Sequence, residues 1–198
     1  MAVTAAQVKA LRMKTGLGMM DCKSALEEAD GDEAKAIEIL RKKGLKLAEK
    51  RAGRATTEGV IGSYVHHNHK IGVLVEVSCE SDFVARSRPF KDFVRDLCLQ
   101  VVAADPVAVS SDDVPEQVKQ REREIYRAQM AGKPEHVIEK ALEGKLRKFY
   151  EEQCLLNQVF IKDPDQQKTI RDVLAELVAR TGENVVIRRF VRMELGKD

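Results

Sequence analysis

The sequence predicts an α+β protein: three short helices, a basic linker, and a small antiparallel sheet covered by helices, with a projecting helical hairpin. Two observations carry this prediction. Apolar residues recur about every 3.6 positions through the first 44 residues, and from Gly59 the period falls to about 2 before helical spacing returns. The predicted domains are a three-helix module (1–45), the linker (46–58) and the α+β domain (59–198).

The first three helices are marked by their ends. Thr4 and Gln7 have the spacing of a capping box, Gly16 is a natural stop, and Asp32 can cap the third helix. The third helix is expected to end before Gly44. Residues placed inward on the three helices are Val8 and Leu11, then Met20, Cys22, Ala25, Leu26 and Ala29, then Ala36, Ile37 and Leu40.

The segment 46–58 is basic and small, and Gly53 interrupts helical propensity, so it predicts a linker or a loosely attached helix. Its charges fit either a solvated surface or a surface that faces a partner. Two strands follow, joined by a hairpin turn at Asn68 and His69. In the second strand, one face is apolar; its members are Val73, Val75, Val77 and Cys79.

The rest of the α+β domain alternates between helices and connections. Ser87 and Pro89 open a strongly amphipathic helix that ends at residues 104–106. Two highly charged helices fill 114–153 and are broken at "AGKP", residues 131–134. A loop at 158–167 leads to a helix that stops at Gly182. The final strand, 184–195, is expected to pair with the first two.

Composition narrows the classes of function. The net charge is only +2, which gives no global attraction to nucleic acid. No apolar run reaches the roughly 20 residues of a membrane span, and the N-terminus lacks the order of a signal or transit peptide, so we expect a cytoplasmic protein. The four cysteines are expected to be reduced thiols. No phosphate-binding loop is present, so we expect the chain to bind no nucleotide itself.

The histidines near the hairpin turn are the most enzyme-like feature. His67 and His69 share a strand face and could converge on a metal with a thiol, which makes a metal enzyme one alternative. No carboxylate or cysteine nearby in sequence completes the set, and a polar turn explains the histidines equally. We therefore expect no metal site.

Two groups of residues stand out as candidates for binding a partner. Met19 and Met20 are adjacent on a helix, so both cannot point inward; either Met20 is buried, or Met19 with Arg12 forms an adaptable patch. Phe83 follows the second strand but belongs to no apolar series. Base rates favour burial of its ring, whereas Asp82 could stiffen a turn that displays it.

Several long motifs resemble one known family. They are "LRMKTGLGMMDCKSAL" (11–26), "GSYVHHNHKIGVLVE" (62–76), "SDFVAR" (81–86), "GKPEHVIEKALEGKLRKFYEE" (132–152) and "TGENVVIRRFVRMELG" (181–196). Their order along the chain is similar to that of bacterial translation elongation factor Ts, in its short form with a single core subdomain. The resemblance covers nearly the whole chain.

The resemblance implies a guanine-nucleotide exchange factor for elongation factor Tu, without enzyme activity, cofactor or metal. The N-terminal module would be ubiquitin-associated-like and would dock through Arg12, Met19 and Met20. The second signature, Ser81, Asp82, Phe83 and Val84, would be the working tip, and the phenylalanine would wedge near the partner's magnesium and phosphate site. An alternative is a passive adaptor that binds without changing the nucleotide state.

The chain departs from the family pattern in ways that have expected consequences. Ser81 replaces a usual threonine but keeps the hydroxyl. Leu17 replaces alanine and could change how Met19 is exposed, and Val159 replaces proline and could loosen its loop. Because only one core subdomain is present, the resemblance implies a homodimer, with an interface through the sheet and the strand at 184–195. No membrane or nucleic-acid partner is implied.

Overall fold

The structure is a computed structural model, which describes residues 3–130, 132 and 134–197. Its class is α+β, as predicted from the sequence. The elements in chain order are α1 (Ala5–Thr15), α2 (Met19–Glu28), α3 (Glu33–Arg51), β1 (Glu58–Val65), β2 (Ile71–Cys79), α4 (Asp82–Arg86), α5 (Arg88–Ala104), α6 (Glu116–Gln129), α7 (Glu135–Gln153), a 3₁₀ turn (Leu155–Asn157), α8 (Ile170–Thr181) and β3 (Val185–Glu194).

These elements fall into two compact units. The first unit comprises Met1–Val60, Val77–Phe93 and Asp172–Val186. The second comprises Ile61–Glu76, Val94–Arg171 and Ile187–Asp198. The three-part division expected from the sequence, with boundaries at 45 and 58, stays a prediction.

The caps of the first three helices confirm the sequence prediction. Thr4 and Gln7 form both bonds of the capping box. Gly16 ends α1 with φ +69°, a left-handed conformation that glycine adopts at little cost. The Asp32 side chain accepts a hydrogen bond from the backbone N–H of Lys35 at the start of α3. The core of this region consists of Val8, Leu11, Leu17, Cys22, Ala25, Leu26, Ala29, Ala36 and Leu40.

Helix α3 corrects the sequence prediction. It continues through Gly44 to Arg51, so the first part of the predicted linker is helical. Gly44 is buried, and a Cβ atom there would lie 3.5 Å from the carbonyl oxygen of Ala175 on α8. Gly44 therefore lies inside α3 and faces α8 within the first unit, with room for a methyl group, rather than ending the helix. Ile37, predicted to face inward, is instead partly exposed, as is Met20 to a greater extent.

An ion pair joins the same two helices. The guanidinium of Arg41 donates to both carboxylate oxygens of Asp172, over 2.9 Å from Nε and 2.6 Å from Nη2. The Asp172 side chain is 6% exposed and that of Arg41 35%. A bidentate geometry of this kind compensates much of the cost of burying the carboxylate.

The sheet has three strands in the order β1-β2-β3 and is antiparallel, as predicted. The turn between β1 and β2 lies at the predicted residues, and His69 adopts φ +55° there. The predicted inner face of β2 is confirmed: Val73, Val75, Val77 and Cys79 are all buried. Along β3, Arg188 and Arg189 are exposed in succession, which shifts the alternation of buried and exposed positions by one residue.

In the second unit, α6 and α7 form the predicted charged hairpin; within its predicted break, residues 131 and 133 lie outside the described part of the chain. The loop at 158–167 is held by Gln100, a fully buried side chain. Its amide donates to the Val159 carbonyl over 3.1 Å and accepts from the Ile161 N–H over 2.9 Å. These bonds fix the loop near Val159. Within the described ranges, no helix is long and apolar enough to cross a membrane.

Candidate partner-binding site

The segment after β2 forms a short helix that displays an aromatic ring. Phe83 lies in α4 and is 81% exposed, whereas its neighbour Val84 is 4% exposed. Successive residues on a helix point about 100° apart, so one side of α4 is anchored while the other faces solvent. Ala85 is buried beside Val84. The base-rate expectation of a buried Phe83 ring is therefore wrong.

Ser81 is the N-cap of α4 and is held by Glu183, which lies in the last chain segment of the first unit. Its hydroxyl accepts a hydrogen bond from the Val84 N–H over 3.4 Å, which makes Ser81 the N-cap. The carboxylate of Glu183 accepts the backbone N–H of Ser81 over 3.0 Å and its hydroxyl proton over 2.6 Å. The Ser81 hydroxyl therefore both donates and accepts a hydrogen bond.

The part played by Asp82 differs from the prediction. Its carboxylate was expected to stiffen the turn by accepting backbone N–H groups, but Ser81 does this instead. Asp82 pairs with Arg86, one helical turn later, over 3.0 Å, and both side chains are largely exposed. An exposed pair of this kind contributes at most about 1 kcal/mol. Asp82 is therefore available to a partner beside the Phe83 ring.

Val84 belongs to the same predicted site but faces inward. Its side chain anchors α4, so the structure separates the predicted tip into a displayed pair, Asp82 and Phe83, and a supporting pair, Ser81 and Val84. Glu183 was missed from the sequence. It lies 102 positions from Ser81 along the chain, and only the fold brings the two together.

The N-terminal candidates are all exposed. Met19 is 54% and Met20 73% exposed, in the first turn of α2, and Arg12 is exposed on α1. Met13, which is not among the predicted contact residues, is 79% exposed. Leu17 is buried in the helical core, while Met19 stays at the surface. These four exposed side chains lie in the last turn of α1 and the first turn of α2, and we call them the methionine patch: Arg12, Met13, Met19 and Met20.

The turn between α1 and α2, next to the methionine patch, is held by a side chain of α8. The Arg180 guanidinium donates to the Thr15 carbonyl over 2.9 Å, at the end of α1. A Cβ atom on Gly16 would lie 2.6 Å from two nitrogens of the same guanidinium. A cation at a helix C-terminus pairs with carbonyls that have no partner inside the helix. The turn that presents Met19 is therefore fixed from outside as well as by its own glycine.

The thiols and histidines do not assemble into a chemical site. In the described part of the chain, no three His, Cys, Asp or Glu side chains are placed to hold a metal ion. The four cysteines are buried and free. Burial raises the pKa of the Cys79 thiol, and the nearby Glu183 carboxylate raises it further. Burial also raises the pKa of Cys98 to about 11. Such thiols stay protonated at neutral pH and are poor nucleophiles.

Comparison with known proteins gives a consistent answer. The model of the family described as "Elongation factor TS" matches residues 21–168. A relative named "Elongation factor Ts" from Carboxydothermus hydrogenoformans is 57% identical over 98% of this chain and 90% of its own length. Relatives of the same name from Solidesulfovibrio magneticus and Thermoanaerobacter sp. are 56% and 53% identical, over 100% and 98% of this chain and 98% and 96% of their own lengths.

The family match spans helix α4, and the alignments with these three relatives cover 98–100% of this chain. The chain therefore belongs to the elongation factor Ts family of translation elongation factors.

Proposed function

We propose that this protein is a cytoplasmic guanine-nucleotide exchange factor for elongation factor Tu, and that Phe83 is the residue that promotes GDP release. Membership of the elongation factor Ts family supports the exchange role. One structural observation supports the choice of residue: a ring that is 81% exposed stands on a helix whose other side is buried. A large apolar side chain held out in water by a rigid support is typical of an interface hot spot.

The proposed mechanism needs no bond chemistry from this chain. The Phe83 ring enters the partner beside its magnesium and phosphate site, where it opposes the nucleotide-bound arrangement. Because the two binding equilibria are linked, a factor that weakens GDP binding must itself bind the GDP complex more weakly by the same ratio. A nucleotide bound at nanomolar affinity represents about 12 kcal/mol, so the new interface must offset a large part of that free energy.

The methionine patch supplies a second contact. Arg12, Met19 and Met20 dock on the partner's GTPase domain in this proposal, and their exposure in the first turn of α2 and on α1 supports it. Unbranched thioether side chains adapt to a partner's surface, while an arginine can pair with its carboxylates. This contact provides affinity, which leaves the Phe83 ring to act on the nucleotide site.

The test is the release of fluorescent GDP from elongation factor Tu, followed by stopped flow. The proposal predicts that this protein accelerates release many-fold over the spontaneous rate. A passive adaptor would bind Tu, as seen in co-purification, and leave the release rate unchanged; that result would overturn the proposal. Phe83→Ala should lose most of this acceleration. Ile161→Ala is its matched control and should keep it, because Ile161 is also an exposed apolar side chain but lies in a loop of the second unit.

We also propose that the protein acts as a homodimer through the outer face of its sheet. A Cβ atom on Gly62 would meet Val94 and Cys98 of α5, so the alternate residues of β1 point away from that helix. Arg189 pairs with Glu76 over 2.7 Å, which puts the alternate residues of β2 and β3 on the same side. Large apolar side chains on this outer face are at least half exposed: Ile61, Val65, Leu74, Val191, Met193 and, just past β3, Leu195.

A second copy of the chain is the occupant that this face suits. The face carries a row of apolar side chains on three strands, and its ion pair between Glu76 and Arg189 is already neutral, so two copies would not repel. Light scattering at micromolar concentration should give twice the chain mass of 22.2 kDa. Leu74→Asp should give the single-chain mass. A wild-type protein with the single-chain mass would overturn the dimer.

A further inference from the structure

We infer that Glu183 is a positioning residue for nucleotide exchange: its carboxylate fixes Ser81 and, through Ser81, the helix that displays Phe83. The inference rests on the proposed function of Phe83 and extends it to a residue that would not itself touch the partner's nucleotide site. It is carried by the contacts between two chain segments of the first unit, residues 80–81 and 183–184.

The Glu183 carboxylate makes a two-point contact. Oε2 accepts the backbone N–H of Ser81 over 3.0 Å, and Oε1 accepts the Ser81 hydroxyl proton over 2.6 Å. Hydrogen bonds to an ionised carboxylate are shorter and stronger than those between neutral groups. With its proton committed to Glu183, the Ser81 hydroxyl directs a lone pair to the Val84 N–H. The same carboxylate thus fixes both the position and the orientation of the cap.

Helix α4 depends on this cap more than a longer helix would. It has five residues, Asp82–Arg86, and a helix of that length is not stable by its own hydrogen bonds. The Ala85 N–H bonds the Ser81 carbonyl over 3.2 Å, so Ser81 also carries the first turn of the helical ladder. On the outer side, Phe83 has little packing to hold it. The direction of its ring is therefore set by the backbone that Ser81 anchors.

Glu183 is itself held in place. It follows Gly182, which ends α8 with φ +77°, and its N–H reaches the Thr181 hydroxyl over 3.4 Å. The next residue, Asn184, donates its N–H to the Glu80 carboxylate over 2.6 Å. Each segment therefore donates one backbone N–H to a carboxylate of the other segment. The pairing holds the start of α4 to the end of α8.

The experiment compares GDP release from Tu, as kcat/KM, for three variants. Glu183→Ala should lower kcat/KM for GDP release about tenfold, which corresponds to about 1.4 kcal/mol of transition-state stabilisation. Glu183→Gln should recover to within about threefold of wild type, because its amide can accept the Ser81 N–H and donate to the hydroxyl. Asp163→Ala is the matched control: Asp163 also accepts two backbone N–H groups, of Gln167 and Lys168, but in the second unit. It should exchange at the wild-type rate.

Each variant is first checked by thermal unfolding, and exchange is measured where all are fully folded. If Glu183→Ala does not fold, Ser81→Ala takes its place, since it removes the hydroxyl that Glu183 orients. The positioning role is refuted if Glu183→Ala exchanges at the wild-type rate, or if Ser81→Ala does so where Glu183→Ala does not fold. It is also refuted if Glu183→Ala and Asp163→Ala lose equal amounts of exchange activity.

A double variant separates positioning from a general effect on stability. If Glu183 acts through Phe83, then Glu183→Ala in a Phe83→Ala background should change the residual exchange rate less than twofold. The same tenfold loss in both backgrounds would show that Glu183 acts elsewhere. Full exchange by Phe83→Ala alone would instead refute the proposed function of Phe83, whereas a loss in Phe83→Ala with none in Glu183→Ala would refute only the positioning role.

Discussion

Phe83 and Val84 are neighbours with opposite exposure, and truncating each to alanine should have opposite effects. Val84 is 4% exposed, so Val84→Ala removes buried methyl groups and leaves a small cavity. Phe83 is 81% exposed, so Phe83→Ala removes a side chain that contributes little to the folded chain. Val84→Ala should therefore lower the stability of the fold, and Phe83→Ala should lower the rate of nucleotide exchange.

The magnitudes follow from burial. At about 0.8 kcal/mol per buried methylene plus a cavity contribution, Val84→Ala should lower the free energy of unfolding by about 2 kcal/mol. For a chain of this size, that is roughly 4–8 °C in Tm. Phe83→Ala should stay within about 0.5 kcal/mol. If most of an exposed ring of about 150 Å² is buried in the transition state for release, its loss costs about 2–4 kcal/mol, roughly 30- to 1000-fold in kcat/KM.

Thermal unfolding followed by circular dichroism and GDP release from Tu give the two readouts for both variants. A fall in Tm for Phe83→Ala as large as that for Val84→Ala would show that the ring belongs to the core. A folded Val84→Ala variant that loses as much exchange activity as Phe83→Ala would show that exposure of the ring does not decide exchange.

Three further predictions concern the scaffold. Arg41→Ala should lower the free energy of unfolding by about 3 kcal/mol, because it leaves the buried Asp172 carboxylate without its guanidinium. Asp172→Ala should lower it less, since the Arg41 side chain can turn to water. Equal losses of stability in chemical denaturation would contradict this. Gly44→Ala should raise stability by about 0.5–1 kcal/mol, since a Cβ fits at 3.5 Å from α8, and Gly44→Leu should lower it. Destabilisation by Gly44→Ala would show that a methyl group does not fit there, and a Gly44→Leu variant as stable as wild type would argue against a close α3–α8 contact. The Cys98 thiol, with its pKa raised to about 11, should resist iodoacetamide at pH 8 in the folded protein and react once urea unfolds it; rapid native labelling, located by mass spectrometry, would be inconsistent with its burial.

Local signals predicted local structure well. The capping box at Thr4, the stop at Gly16 and the cap at Asp32 each depend on residues within one helical turn, and each was confirmed. The alternation in β2 likewise predicted its buried face. These features are decided by near neighbours in the sequence, so the sequence alone was sufficient.

Features that depend on distant residues could not be predicted. The sequence predicts a helix end at Gly44 because glycine weakens isolated helices, whereas the residue lies inside α3 and is packed against the backbone of α8. Asp82 was expected to stiffen the turn, but that task falls to Ser81 and Glu183, which are far apart in sequence. The displayed ring of Phe83 was noticed as off-pattern, yet only the burial of Val84 shows which way α4 faces.

The central claim is that Phe83 acts on nucleotide release and is more than a binding anchor. The most direct test is the concentration dependence of GDP release from Tu for wild type and Phe83→Ala. The plateau rate of the variant should fall at least tenfold, while the half-saturating concentration should change less than threefold. An unchanged plateau with a raised half-saturating concentration would show that the ring only holds the partner and has no part in the release of GDP.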